Sequence, residues 1–515
     1  MFKVSPYILL RRLLLFCLGV LSAIALWKLG AQVYYEMLGK YYQDISIYLA
    51  VGRGVLNGLM PYVDLFETKP PGIFLLAALS LHLFGDARLL LFVCALLIGL
   101  LPLWLMLPMH RSGERSDRWL RILIAFCFGT FIALFTAERA GQGLVESLGA
   151  FFATGIVALS VLNPKHFPWR ITIAVALLFA FAVGLKEPFL ISAIGGVLIV
   201  SPSFRATQRL LFPLIIAGVL CIFFYFTLGY LGPYFSIYLP HMLGHQIVTP
   251  WGTIPDPLWL RTIDLSRMFR TMWEFSVFLP FVIGMLWIAA LGLMILRSST
   301  RREKMFAAMQ WLLGSWFLTL SVGISGDFYP HQFVFAVPGF CAFFFVCMQE
   351  RHRLLSSTIG KGILTVWLML LAAGLIVRPA APLRLEQEWK DWVAERTEAA
   401  AVIDAVMERC EIDKYLLLIA GNDSIHAYTH HSPYGPLFTN YARFVAGHPL
   451  FIEAFGRQFH TASLAVYKDD QPRPLLDEES IHEFQTAFTE EPPACAGSNF
   501  KQPLPYHIIF RIVKS

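Results

Sequence analysis

Between Tyr41 and Gly72 the chain reads YYQDISIYLAVGRGVLNGLMPYVDLFETKPPG, directly after its first long apolar run. This short stretch holds Asp44, Asp64, Glu67 and Lys69 at the edge of hydrocarbon. Charged groups beside hydrocarbon are costly to keep, so they are functional candidates by default. A carboxylate here can take a proton from an attacking hydroxyl, and a cation can stabilise a departing anion. A second set lies further on: Glu146 inside an apolar segment, and Arg139, Lys186 and His331 at the very ends of apolar runs. Taken singly, Lys69, Arg139, Lys186 and His331 read as snorkelling or interfacial anchors. Glu146 has two level readings, an acid of the site or one half of a structural pair with Arg139.

The elements that carry these residues follow from spacing. Residues 44–56 form an amphipathic helix, with Ile45, Tyr48, Leu49 and Val55 on one face and Arg53 and Asn57 polar. Gly58 and Pro61 end it. Asp44 stands at its N-terminus, where the macrodipole favours a carboxylate, and where a plain capping residue would also stand. Pro70 and Pro71 open a second apolar helix over Ile73–Phe84, too short to cross a bilayer and expected to lie in the outer interface.

The whole chain has 515 residues, 57% hydrophobic and only 15% charged, with a mean hydropathy of +0.61. A soluble protein would carry about 25% charged residues. The fold class is therefore an all-α polytopic membrane domain of about eleven spans, with the interfacial helices in its first outer loop. The spans fall near residues 12–34, 88–108, 119–137, 142–162, 170–185, 188–200, 210–230, 275–296, 305–323, 331–348 and 363–378. The loops on one side then contain Arg111, Arg115 and Arg118; Lys165 and Arg170; Arg205 and Arg209; Arg297, Arg301, Arg302 and Lys304; and Arg351, Arg353 and Lys361. The positive-inside rule makes that side cytoplasmic, with the N-terminus inside and the C-terminus outside. The same loops account for the net charge of +6 without nucleic acid as a partner.

Domains are expected at 1–378, the membrane domain, and 379–515, an extracytoplasmic α/β domain. In the latter, Leu383–Cys410 has helical spacing, and KYLLLIAG (414–421) and YHIIFRIVK (506–514) read as strands. Of the eight cysteines, Cys410 and Cys495 lie in this polar tail and are a disulfide candidate if it is outside. In the loop 231–274, Tyr234, Tyr238, Trp251, Trp259 and Trp273 read mostly as an aromatic belt. His241 and His245, and His426, His430 and His431, are close in sequence but lack a further ligand set at zinc spacing. No Gly-rich nucleotide loop of the Walker or Rossmann type is present.

Asp44 together with GLMPYVDLFETKPPGIFLLAALSLHLFG resembles the GT-C superfamily of integral membrane glycosyltransferases. The nearest branch is that of protein O-mannosyltransferases and the lipid A aminoarabinose transferase. Similar features occur at Gln142-Gly143-Leu144-Val145-Glu146, Gly184-Leu185-Lys186-Glu187-Pro188 and Gly326-Asp327-Phe328-Tyr329-Pro330-His331-Gln332. The resemblance covers roughly the first 350 residues and not the tail. It implies transfer of a sugar from a polyprenyl-monophosphate carrier to a lipid, glycan or protein acceptor at the outer face of a bacterial inner membrane, with inversion. It implies that Asp44 is the general base, and that Lys69, Arg139, Lys186 and His331 face the donor phosphate. Tyr62, Asp64, Glu67, Tyr329 and Gln332 would line the substrate pocket. The family often has two adjacent acids at the catalytic position; here Ile45 follows Asp44, so a second acid must come from Asp64 or Glu146. Some relatives use a divalent cation, and the sequence leaves that open. Two other readings are a ligase or oligosaccharyltransferase using a pyrophosphate-linked glycan, and a lipid or sugar transporter. The Lys-Pro-Pro-Gly segment fits the monophosphate branch, and charge concentrated at one membrane face fits interfacial chemistry.

Overall fold

A computed structural model describes residues 6–38, 43–111, 115–140, 145–246, 257–324, 330–417, 424–433, 435, 460–468 and 486–512. The main helices are α1 (Pro6–Met37), α2 (Gln43–Leu56), α3 (Gly72–Phe84), α4 (Arg88–Arg111), α5 (Arg115–Ala140), α6 (Val145–Leu162), α7 (Trp169–Leu185), α8 (Pro188–Val200), α9 (Leu211–Thr227), α10 (Leu265–Phe275), α11 (Leu279–Leu296), α12 (Arg301–Gly323), α13 (Val337–Gln349), α14 (Thr358–Val377) and α15 (Gln387–Arg409). Among the described residues nine helices are long and apolar enough to cross a membrane, and α3, α7 and α8 are shorter apolar helices. In its described residues, every segment expected to span falls mainly on one of these helices. The protein is a multi-pass helical membrane protein with a small sheet in its C-terminal region.

The chain divides into two compact units. The first comprises Met1–Met37, Phe92–Phe224 and Pro255–Leu383. Its core is a continuous packing of Leu, Ile, Val, Ala and Phe from these helices. At its centre α8 packs against α6, α12 and α13. The backbones touch: a Cβ on Gly195 would lie 2.9 Å from the Gly314 carbonyl oxygen, and one on Gly314 would lie 3.0 Å from that of Gly195. Small residues permit this close approach, the usual basis of helix association in lipid. The basic loop residues also have local work. Arg209 donates to the carbonyls of Asn163 (2.9 Å) and Ser160 (3.3 Å), while Arg297 and Gln310 donate to that of Ser201 (3.0 and 2.8 Å). They satisfy carbonyls left without partners at the ends of α6 and α8.

The second unit comprises Leu38–Leu91, Tyr225–Ile254 and Arg384–Ser515. It joins α2 and α3 to the tail. The tail sheet has the order β2-β1-β3-β5-β4, with β1 (Lys414–Leu417), β2 (Ser432–Pro433), β3 (Leu464–Lys468), β4 (Phe488–Thr489) and β5 (Tyr506–Arg511). β1 runs parallel to β2 and β3, whereas β5 is antiparallel to β3 and β4. The register pairs Leu416 with Ala465 and Val466 with Ile508. Ala399, Ile403, Val406 and Met407 of α15 pack with Leu464, Val466, Ile508 and Phe510 to form a core of its own. Cys410, just after α15, is disulfide-bonded to Cys495, with the Cα atoms 5.2 Å apart.

The expected amphipathic helix is α2, and most of its polar face is covered as well as its apolar one. Ile45, Ser46, Ile47, Tyr48, Leu49, Ala50, Val51 and Arg53 are all buried, so both faces of the helix are covered. One face lies on α3, where a Cβ on Gly52 would come within 2.7 Å of the Ala78 backbone nitrogen. The other meets the tail: Arg53 donates to the His426 carbonyl (3.1 Å) and Asn57 to the Ser432 hydroxyl (3.2 Å). The polar face therefore docks on protein rather than on water.

Candidate functional site

Asp44 lies in the first turn of α2 and is partly exposed. The loop after α2 is shaped by Tyr62, which has a left-handed backbone (φ 70°), an N–H bond to the Leu65 carbonyl (2.8 Å) and a hydroxyl bond to the Lys69 carbonyl (2.7 Å). Non-glycine residues seldom adopt this conformation, and those that do cluster at functional sites. Asp64 accepts from the Met60 backbone N–H at 2.7 Å, which gives it a turn-forming role. Glu67 is buried and accepts from Lys69 Nζ (3.0 Å) and from Thr68 Oγ1 (3.1 Å). Lys69 is itself only 8% exposed, and its ammonium stands 5.9 Å from the centroid of the Tyr48 ring. A snorkelling lysine would reach water; this one is held inside by a carboxylate and an aromatic face.

Tyr48 is four residues after Asp44, so the two side chains share a face of α2. Sequence periodicity shows Tyr48 only as an apolar position. Of the aromatics after α9, Trp259 and Trp273 are exposed, as in a membrane belt, whereas Tyr234 and Tyr238 pack into a cluster. Tyr62 stacks near Tyr238 (centroids 4.9 Å apart), Tyr238 on Tyr234 (5.0 Å), and His241 stands edge-on to Phe66 (4.8 Å). Tyr238 and His241 are buried. This cluster backs the Tyr62–Lys69 turn.

The other candidates lie in the first unit. Glu146, in the first turn of α6, is 1% exposed and forms an ion pair with Lys186 at 3.1 Å. Lys186 is the residue that closes α7 before Pro188 starts α8. The sequence had put forward Arg139 as the partner of Glu146. Arg139, in the last turn of α5, instead sets its guanidinium 6.0 Å from the centroid of the Phe275 ring. His331 is half-buried and Gln332 buried, both in the 3-10 segment Pro330–Ala336. Tyr329 lies outside the described residues.

Arg378, after α14, had been read only as the end of a span. It pairs with Glu138 at 2.5 Å and lies 4.3 Å from the Phe275 centroid. Its role is invisible until α5, α10 and α14 are brought together.

The tail histidines hold structure together. His426 Nδ1 is 2.5 Å from the Tyr415 hydroxyl, and His431 Nδ1 is 2.9 Å from Asp404. Burial pulls the Arg53 guanidinium below its usual range, and Tyr415 and Asp404 pull it back up. Among the described residues no three His, Cys, Asp or Glu side chains are grouped closely enough to hold a metal ion. The side chain of His245 lies outside the described residues.

No family model matches the chain, and a search of curated proteins finds no match. Among solved structures, the chain is similar to ArnT from Cupriavidus metallidurans, solved bound to undecaprenyl phosphate. The likeness has 13% sequence identity and a TM-score of 0.52, and covers 95% of this chain and 97% of that chain. It shows the fold: an ArnT-like polytopic helical domain followed by a C-terminal domain.

Proposed function

We propose that this protein is a membrane glycosyltransferase that moves a sugar from a polyprenyl-monophosphate carrier to an acceptor at the extracytoplasmic face of the inner membrane, within the cell envelope. The observation that carries the reading is the likeness to ArnT along nearly the whole of both chains, together with the Pro-Tyr-x-Asp…Lys-Pro-Pro-Gly pattern and Asp44 before it. ArnT was solved with undecaprenyl phosphate, a carrier of the required chemical class.

In this reading Asp44 takes the proton of the acceptor hydroxyl. The acceptor oxygen forms its bond to the anomeric carbon as the bond from that carbon to the phosphate oxygen breaks, with inversion. The electron pair leaves on the carrier phosphate. Lys69 neutralises that phosphate; Lys186, Arg139 and His331 are the phosphate-binding candidates of the first unit. Lys69 is already oriented by Glu67 and the Tyr62 hydroxyl bond to its carbonyl, so little reorganisation accompanies the departing charge. Glu146 is the second acid, held by Lys186. Tyr62, Asp64 and Glu67 are the pocket residues of the second unit in this reading, and Gln332 is the candidate of the first. The N-terminus is cytoplasmic, and residues 379–515 form an extracytoplasmic domain that orients the acceptor. The Cys410–Cys495 bond supports that compartment, since disulfides persist in oxidising environments.

The test is to incubate the purified protein with a panel of prenyl-phosphate sugars and to follow release of the prenyl phosphate. Turnover of at least one monophosphate-linked donor is expected. Turnover of pyrophosphate-linked glycans alone, or transport with no glycosyl transfer, would remove the reading.

A further inference from the structure

Arg139 at the end of α5 and Arg378 after α14 meet over one ring. The guanidinium carbons lie 6.0 and 4.3 Å from the centroid of Phe275, the last residue of α10. Cation–π contact of this kind holds two planar forks against a common surface. Arg378 Nη2 also donates to the Leu134 carbonyl at 3.1 Å, so that nitrogen of the fork is fixed. The charges do not balance. Lys28 of α1 adds its ammonium by donating to the carbonyls of Ile376 (2.9 Å) and Arg378. Lys28, Arg139 and Arg378 are thus three cations of this region, and among the described residues the ion pair they make is that of Arg378 with Glu138.

The hydrogen bonds do not balance either. Among the described residues no acceptor reaches the buried Nε of Arg139 or the buried Nη1 of Arg378. Buried donors are almost always paired in folded proteins, so two orphans on adjacent guanidiniums need an explanation. In that ion pair the carboxylate is the more exposed partner: the side chain of Glu138 is 43% exposed, against 13% for Arg378.

We propose that Arg139 and Arg378, braced on Phe275, bind a phosphate monoester, either the headgroup of a lipid or a free phosphate, which displaces Glu138 from Arg378. A phosphate carries more charge than a carboxylate and three acceptor oxygens, enough to engage both forks at once. The inference shares Arg139 with the proposed transfer site but does not rest on the transfer chemistry.

The test uses the full-length protein in detergent and measures affinity for dihexanoyl phosphatidate, for inorganic phosphate and for dihexanoylglycerol, which lacks the phosphate. Phosphatidate is expected to bind and dihexanoylglycerol not. Arg378→Met and Arg139→Met should each weaken phosphatidate at least tenfold, with Arg378→Lys intermediate. Glu138→Gln should tighten it several-fold by removing the competing anion, an effect that a purely structural arginine would not produce. Inorganic phosphate binding as well as phosphatidate would identify a soluble anion, and binding at least tenfold weaker would identify a lipid headgroup; both support the shared chemistry. Unchanged affinity in the two methionine variants, or weaker binding in Glu138→Gln, overturns the proposal. Should Arg378→Met not fold, Arg139→Met and Glu138→Gln decide it. Phosphatidate binding that follows the arginines in a protein without transfer activity would leave this site standing while the Asp44 reading fell.

Discussion

Lys69 and Glu67 form an ion pair 3.0 Å long inside the protein, with side chains 10% and 3% exposed. The lysine reads from sequence as a membrane-edge anchor, yet it is enclosed. Its orientation depends on a tight turn in which Tyr62 takes a left-handed conformation and binds the Lys69 carbonyl. A cation held this way, close to the helix that begins with Asp44, is the feature of the second unit most relevant to phosphate chemistry.

Removing one partner of a buried pair leaves an uncompensated charge, which costs about 3–5 kcal/mol. Glu67→Gln should therefore lower thermal stability markedly. The double variant Glu67→Gln/Lys69→Met should recover much of that loss while remaining inactive in transfer. Melting of the purified variants in one detergent measures both. Equal melting temperatures for the single and double variants would show that the pair is not coupled.

Gly52 tests how firmly α2 must sit. A Cβ at this position would stand 2.7 Å from the Ala78 nitrogen and 3.0 Å from the Ala77 carbonyl carbon, both backbone atoms that cannot move aside as a side chain does. Gly52→Val should cost about 1–3 kcal/mol by overpacking. It should also reduce transfer by more than the loss of folded protein, because α2 carries Asp44. Transfer per folded molecule is the quantity to compare; an unchanged value would separate α2 packing from activity.

The membrane part of the fold was legible because hydrocarbon leaves a strong compositional trace. Each segment expected to span is mainly helical in its described residues, and two of the loop arginines, Arg209 and Arg297, turn to capping carbonyls. The tail strands at 414 and 506 followed from β-rich runs between breakers, and they were found at Lys414–Leu417 and Tyr506–Arg511.

What sequence could not show depended on distant partners. The polar face of α2 looked solvated because its cover comes from the tail, with Arg53 bonded to a carbonyl 373 positions away. Arg378 looked like an ordinary flanking cation because Glu138 and Phe275 reach it from other helices. Glu146 was visible as an embedded acid, but Lys186 lies on the far side of two helices in sequence and could not be named as its partner. Lys69 was visible as a charge in a promising motif, while its burial came from local backbone geometry that periodicity does not encode.

The most direct measurement is transfer from a prenyl-phosphate sugar by Asp44→Asn, made beside the unsubstituted protein in the same membrane preparation. The substitution keeps the size of the side chain and removes its basicity, and positioned proton transfer contributes about 10²–10⁴-fold. The account predicts a loss of that order with an unchanged melting temperature. Turnover within about threefold of the unsubstituted protein would contradict it, since a loss that small is below the general-base range.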